Sequence, residues 1–121
     1  MRFTKDHEWV DLQGDVAAIG VTAYGAERLG DIVSVDLPAV GQALKAGDAL
    51  AAVQGVNVAS SLPAPVDGEV TDANAALFDT PEQIEQDPEN TAWLVKLKVA
   101  DPAQVEALMD RPAYEAFLDS L

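Results

Sequence analysis

Apolar and polar positions alternate along much of the chain, and the alternation breaks where glycine, proline or aspartate stands. Trp9 to Leu12 and Val16 to Val21 are apolar-rich runs separated by Gln13-Gly14-Asp15, which predicts two antiparallel strands joined by a hairpin. From Thr22 to Leu29 the pattern turns helical, with Thr22 placed to cap the start and Gly30 to end the turn. "DIVSVDL" alternates Val33, Val35 and Leu37 against Ser34 and Asp36, a strand that Pro38 stops. In "GQALKAGDALAAVQ" the glycines Gly41 and Gly47 bracket Leu44, predicting turn, strand, turn and strand. "VQGVNVASSLPAPVDGEV", from Val53 to Val70, then reads as a hairpin with Asn57 at its tip. After it, Pro65 enters a strand and Asp67-Gly68 forms a turn that tolerates positive φ. The units on either side of Asn57 are loosely similar, without the identity of a true repeat.

The segment from Asn74 to Asn90 is acidic and interrupted by proline, which predicts short helical turns and loops. "TAWLVKLKV" returns to a strand, with Trp93, Val95, Leu97 and Val99 on one face and Leu94, Lys96 and Lys98 on the other. Asp101 is placed to cap a helix with Pro102 at its first position and Gln104 in the capping-box place, and "PAYEAFLDSL" predicts a second helical segment. Val105, Leu108, Tyr114, Phe117 and Leu118 are the side chains expected to pack these helices on the strands. The fold class is therefore mainly β, a small barrel or sandwich with short helices, in one domain spanning residues 1–121.

Composition narrows the function classes. The chain has 121 residues with 49% hydrophobic but only 6% aromatic side chains, which argues against disorder and for one modest core. No run approaches the length needed to cross a bilayer, and "MRFTKDHEWV" lacks the apolar stretch of a signal peptide. No membrane association is expected, and the location expected is bacterial cytoplasm, or an organelle matrix after removal of a presequence. Zero cysteines exclude disulfides and thiolate chemistry. Twenty-one acidic against seven basic residues give a net charge of −14, which repels nucleic acid and favours basic faces of partner proteins. A monomer is expected.

Candidate chemistry is sparse. His7 is the single histidine and has no HExxH spacing, so a metal site would have to be built almost wholly from carboxylates, and none is expected. No GxSxG elbow, phosphate-binding loop or dinucleotide turn is present. Paired acids such as Asp6 with Glu8, or Glu82 with Glu85, are the pattern of solvated surface charge. What remains is a device for presenting one side chain on a tight hairpin, without catalysis of its own.

The blocks "FTKDHEWV", "GDVAAIGVTAYGAERLGDIVSVDLPAVG", "KAGDALAAV", "APVDGEVTDAN", "WLVKLKV" and "AYEAFL" resemble, in order and from Phe3 to Leu118, the H protein of the glycine cleavage system. The resemblance implies a lipoyl/biotinyl-like barrel-sandwich hybrid with a C-terminal helical segment. It also implies a non-catalytic carrier whose lipoyl group, in amide linkage on a hairpin lysine, visits three partners. These are the pyridoxal-phosphate glycine decarboxylase (P protein), the tetrahydrofolate-dependent aminomethyltransferase (T protein) and the flavin dihydrolipoamide dehydrogenase (L protein).

The family's hairpin reads close to ESVKAASD, whereas this chain has Gln54-Gly55-Val56-Asn57-Val58-Ala59-Ser60-Ser61. Asn57 falls on the lysine, Gln54 on the glutamate three residues before it, and Ser61 on the final aspartate. A carboxamide has no nucleophilic amine, so lipoate attachment at Asn57 is not expected, and no cofactor is expected on this chain. By the same resemblance, Glu8 is the surviving partner for an amine in a cleft near the HEWV block, while His7 and Trp9 are expected to pack and make local hydrogen bonds. Lys5, Lys45, Lys96 and Lys98 are the other lysines, and none is expected at a hairpin tip. Two readings follow: an H-like carrier scaffold without lipoyl cargo, or an interaction module that docks on the glycine cleavage enzymes or another protein and regulates it.

Overall fold

A computed structural model of the chain describes residues 1–56, 58–89 and 92–121. Its strands are β1 (Arg2–Phe3), β2 (Glu8–Gln13), β3 (Val16–Val21), β4 (Ile32–Asp36), β5 (Ala43–Leu44), β6 (Ala49–Gly55), β7 (Ala59–Pro63), β8 (Gly68–Ala73) and β9 (Val95–Val99). Five short helices accompany them: α1 (Ala23–Leu29), α2 (Ala76–Asp79), α3 (Gln83–Gln86), α4 (Pro102–Glu106) and α5 (Arg111–Asp119). One sheet has the order β1-β2-β3-β9-β8-β5 and the other β4-β6-β7, all neighbours antiparallel. The two sheets do not close into a barrel.

Local chemistry explains most element ends. Thr22 caps α1 by accepting from the Gly25 amide, and Gly30 ends it at φ 74°, where an L side chain is disfavoured. Asp101 and Asp110 cap α4 and α5 through the amides of Ala103 and Ala113, and a proline stands in the first turn of each. The turn between β2 and β3 takes positive φ at Gly14, and the turns flanking β5 do so at Gly41 and Gly47.

Four sequence expectations need correction. Val33 is exposed, because an irregularity in the β4–β6 register between Ile32 and Ser34 turns Ile32 and Val35 inward instead. Pro65 lies in a bend after β7, and Gly68 opens β8 without positive φ; a Cβ there would stand 2.7 Å from the Lys98 carbonyl oxygen, so close approach explains that glycine. Leu94 is fully buried while Trp93 is partly exposed, because β9 begins only at Val95 and the alternation does not extend before it. Gln104 makes no capping box: its side chain accepts from the Asp67 amide and donates to the Asp67 carboxylate, tying α4 to the turn before β8.

The main core lies between the sheets and is aliphatic, with Val10, Ile19, Val53, Val66, Val70, Leu94, Val95 and Leu97 almost wholly buried. A second, aromatic cluster of Phe3, Trp9 and Tyr114 forms where α5 packs on the sheet edge, with Phe117 and Leu118 against it. Phe3 and Tyr114 stack with ring centroids 4.7 Å apart. The expected packing of Val105, Leu108, Tyr114, Phe117 and Leu118 is thus observed.

Candidate functional site: the cleft beneath the β6–β7 hairpin

Strands β6 and β7 pair Val53 with Ser60 and Gln54 with Ala59, so their side chains divide cleanly between two faces. Val53, Ser60 and Leu62 face inward, toward α1 and the turn before β2. Between these lies a cleft of about 130 Å³ lined by Asp6, His7, Val21, Gly25, Arg28, Leu29, Val53, Val58, Ser60 and Leu62. The outward face carries Ala52, Gln54, Ala59 and Ser61 beside Ser34 and Asp36 of β4. Val56 and Val58, on either side of position 57, are 62% and 51% exposed. Asn57 itself lies outside the described residues.

Two glycines let the walls approach. A Cβ on Gly25 would stand 2.9 Å from Val21 Cγ1 and 3.0 Å from His7 Cβ, so glycine allows α1 to lie on the His7 turn. At Gly55 a Cβ would overlap the Leu29 carbonyl, so the hairpin base abuts the C-terminal end of α1. The Val56 amide donates to the Asp31 carbonyl at 2.9 Å, fastening the same junction.

His7 is the one residue other than glycine with positive φ among those described, at 63°. Its amide donates to the Thr4 carbonyl and its carbonyl accepts from the Thr22 amide, fixing the turn. Nδ1 lies 2.9 Å from the Tyr114 hydroxyl, which lies 2.8 Å from Thr22 Oγ1. Thr22 Oγ1 also accepts from the Gly25 amide, so these hydrogen bonds tie the His7 turn to the start of α1 and to α5. Burial first, then the Arg28 charge, pushes the His7 pKa down, against a smaller opposite effect of Asp6.

Glu8 faces the core. It pairs with Val21, a lining residue, but is fully buried and does not itself line the cleft. Thr4 Oγ1 donates to Oε1 at 3.3 Å, while Oε2 has no partner among the described residues. Burial, reinforced by Asp6, pushes its pKa up to about 8, so Glu8 is protonated at neutral pH.

The positions singled out from sequence thus separate. Gln54 and Ser61 share the outer hairpin face, where the Ser34 hydroxyl reaches Gln54 Oε1 at 3.5 Å. Ser61 does not line the cleft; Ser60 does, because side chains alternate along β7. Trp9 packs on Gly20 and donates from Nε1 to the Pro88 carbonyl at 2.7 Å, as expected of a packing residue. Arg28 and the Tyr114–Thr22 chain were not found in the sequence, since no spacing links residue 7 to residue 114.

The family described as "Glycine cleavage H-protein" matches residues 1–121. The chain belongs to this family. It is 57% identical over 118 residues to the glycine cleavage system H protein of Phenylobacterium zucineum, covering 98% of each chain. With the protein of the same name from Caulobacter vibrioides it shares 54% over 121 residues and the full length of both. The crystal structure of a glycine cleavage system H protein from Mycobacterium marinum superposes with a TM-score of 0.86 at 34% identity, covering 98% of this chain and 95% of that one. The mainly β fold with a C-terminal helix is the H-protein fold, and the chain is a carrier-family protein, not itself a catalyst.

Proposed function

We propose that this chain is a glycine cleavage carrier scaffold that keeps the family's docking surfaces but takes no lipoyl group at its hairpin. One observation carries the reading: in a chain that matches the H-protein family from end to end, the residue between β6 and β7 that falls on the family's lysine in the sequence pattern is Asn57. A bound lipoyl group supplies a dithiolane that accepts and hands on the aminomethyl fragment, and its attachment requires a primary amine. The Asn57 carboxamide does not fit that requirement, because its nitrogen lone pair is delocalised and non-nucleophilic.

The chain's own residues retain the rest of a carrier. The exposed Val56 and Val58 stand at the hairpin end of the paired strands β6 and β7, and the cleft below them has mostly aliphatic walls. Glu8, buried and protonated, is in this reading a proton-holding group behind the wall; it would meet an amine only by giving up that proton. The partners proposed by family are the P, T and L proteins, approached by an acidic surface.

Reconstitution tests this. The parent chain is expected to compete with a lipoylated H protein for the P protein while supporting no glycine turnover. The Asn57→Lys, Gln54→Glu variant, treated with a lipoylating enzyme, is expected to restore turnover. Turnover by the parent would overturn the reading. Failure of the parent to compete would remove the docking half of it.

A further inference from the structure

The packing of α2 on β4 leaves an aromatic side chain in solvent. Leu77 and Ile84 are fully buried in the main core with Ile32 and Val35, which seats α2 and α3 beside the start of β4. Glu85 Oε2 accepts from the Ile32 amide at 3.2 Å and fastens α3 there. With Leu77 turned inward, its neighbour Phe78 is turned outward and is 56% exposed; among the described residues no other aromatic side chain is more than half exposed. On β4, against which α2 lies, the irregular register leaves Val33 55% exposed. The exposed Val56 adjoins them on the hairpin side, its amide bonded to the Asp31 carbonyl. Large apolar side chains exposed on joined segments are more than the single ones scattered over any surface. The charge around them has one sign. No lysine or arginine lies between Arg28 and Lys45, nor between Lys45 and Lys96, so β4, β6, β7, α2 and α3 carry none. Asp31, Asp79 and Glu82 are exposed and flank the apolar positions in the chain. Such a rim repels a second copy of the same face and attracts a basic one.

We propose that the face formed by α2 and the start of β4 is a docking surface for a glycine cleavage enzyme that presents an apolar pocket rimmed by lysine or arginine. Phe78 is the side chain that enters the pocket, Val33 widens the apolar contact, and Asp31, Asp79 and Glu82 meet the basic rim. An aromatic anchor inside a ring of charge divides the work of an interface in two. Burying the anchor slows dissociation, and the charges speed encounter. The proposal rests on the docking half of the preceding reading and adds where the contact is made; the residue at position 57 does not enter it.

Association and dissociation rates of the full chain with the purified P, T and L proteins test this. At least one of the three is expected to bind the parent. For that enzyme, Phe78→Ser is expected to raise the dissociation rate about tenfold and to leave association nearly unchanged, with Val33→Thr acting in the same direction more weakly. Asp79→Lys with Glu82→Lys is expected to slow association about tenfold at low salt. Glu115→Lys with Asp119→Lys makes the same change in net charge on α5 and is expected to slow it much less. All six positions are exposed, and an unaltered melting temperature verifies the fold of each variant. If none of the three enzymes bound the parent, this proposal and the docking half of the preceding reading would fall together. Binding that survives Phe78→Ser unchanged, or that slows equally for the two charge reversals, would overturn this proposal alone.

Discussion

Two side chains near the start of β2 carry most of the unusual electrostatics. Glu8 has its pKa raised by burial from an ordinary 4.5 to about 8, so the folded state holds its proton more tightly than the unfolded chain does. The stability this contributes is complete below pH 4.5 and is lost as pH rises through about 8, a change on the order of 5 kcal/mol at most. Glu8→Gln keeps the shape without the ionisation, so urea midpoints followed across that window should fall with pH in the parent and stay nearly flat in the variant. An equal slope in both would place the titration elsewhere. Tyr114→Phe removes the hydroxyl that links His7 to Thr22; it should cost about 1–3 kcal/mol and shift the His7 ring nitrogen resonances. Unchanged ring shifts would show that the Tyr114 hydroxyl does not bond the His7 ring. At this scale the sequence was informative about residue types and silent about partners. His7 and Glu8 were legible as members of one block, but the burial of Glu8 depends on β3 and the orientation of His7 on a helix more than a hundred residues away.

Elements were more readable, because caps and turns are local. Thr22, Gly30, Asp101 and Pro102 each mark an end where the structure has one. The misreadings arose where neighbours override periodicity. The irregular β4–β6 register exposes Val33, and the approach of β9 explains Gly68 better than a turn does. The face assignment of the hairpin was also illegible, since alternation along β7 becomes inward or outward only once β6 fixes the register; hence Ser60 lines the cleft and Ser61 does not. Gly55 is the point at which the hairpin base meets α1. Because a side chain there would overlap the Leu29 carbonyl, Gly55→Ala should force the hairpin base from α1 and cost about 1–3 kcal/mol, with amide shifts concentrated at Leu29, Asp31 and Val56. A neutral substitution would mean that this junction yields easily and that restoring a family-like hairpin needs no compensation at α1.

Over the whole molecule, the H-protein fold is retained, and the proposed function rests on Asn57 standing where the resemblance puts the cargo-bearing lysine. The charge of −14 gives any basic partner long-range attraction, so association with the P protein should slow several-fold as salt rises from low to physiological strength. A salt-independent rate would argue that docking rests on apolar contacts such as Val56 and Val58. What the chain can carry is tested most directly by the intact mass of the parent after co-expression with a lipoylating enzyme and lipoate. The mass of the unmodified chain is predicted for the parent, with a lipoyl increment on the Asn57→Lys, Gln54→Glu variant. A lipoyl increment on the parent would contradict the account, because Lys5, Lys45, Lys96 or Lys98 would then be carrying the arm.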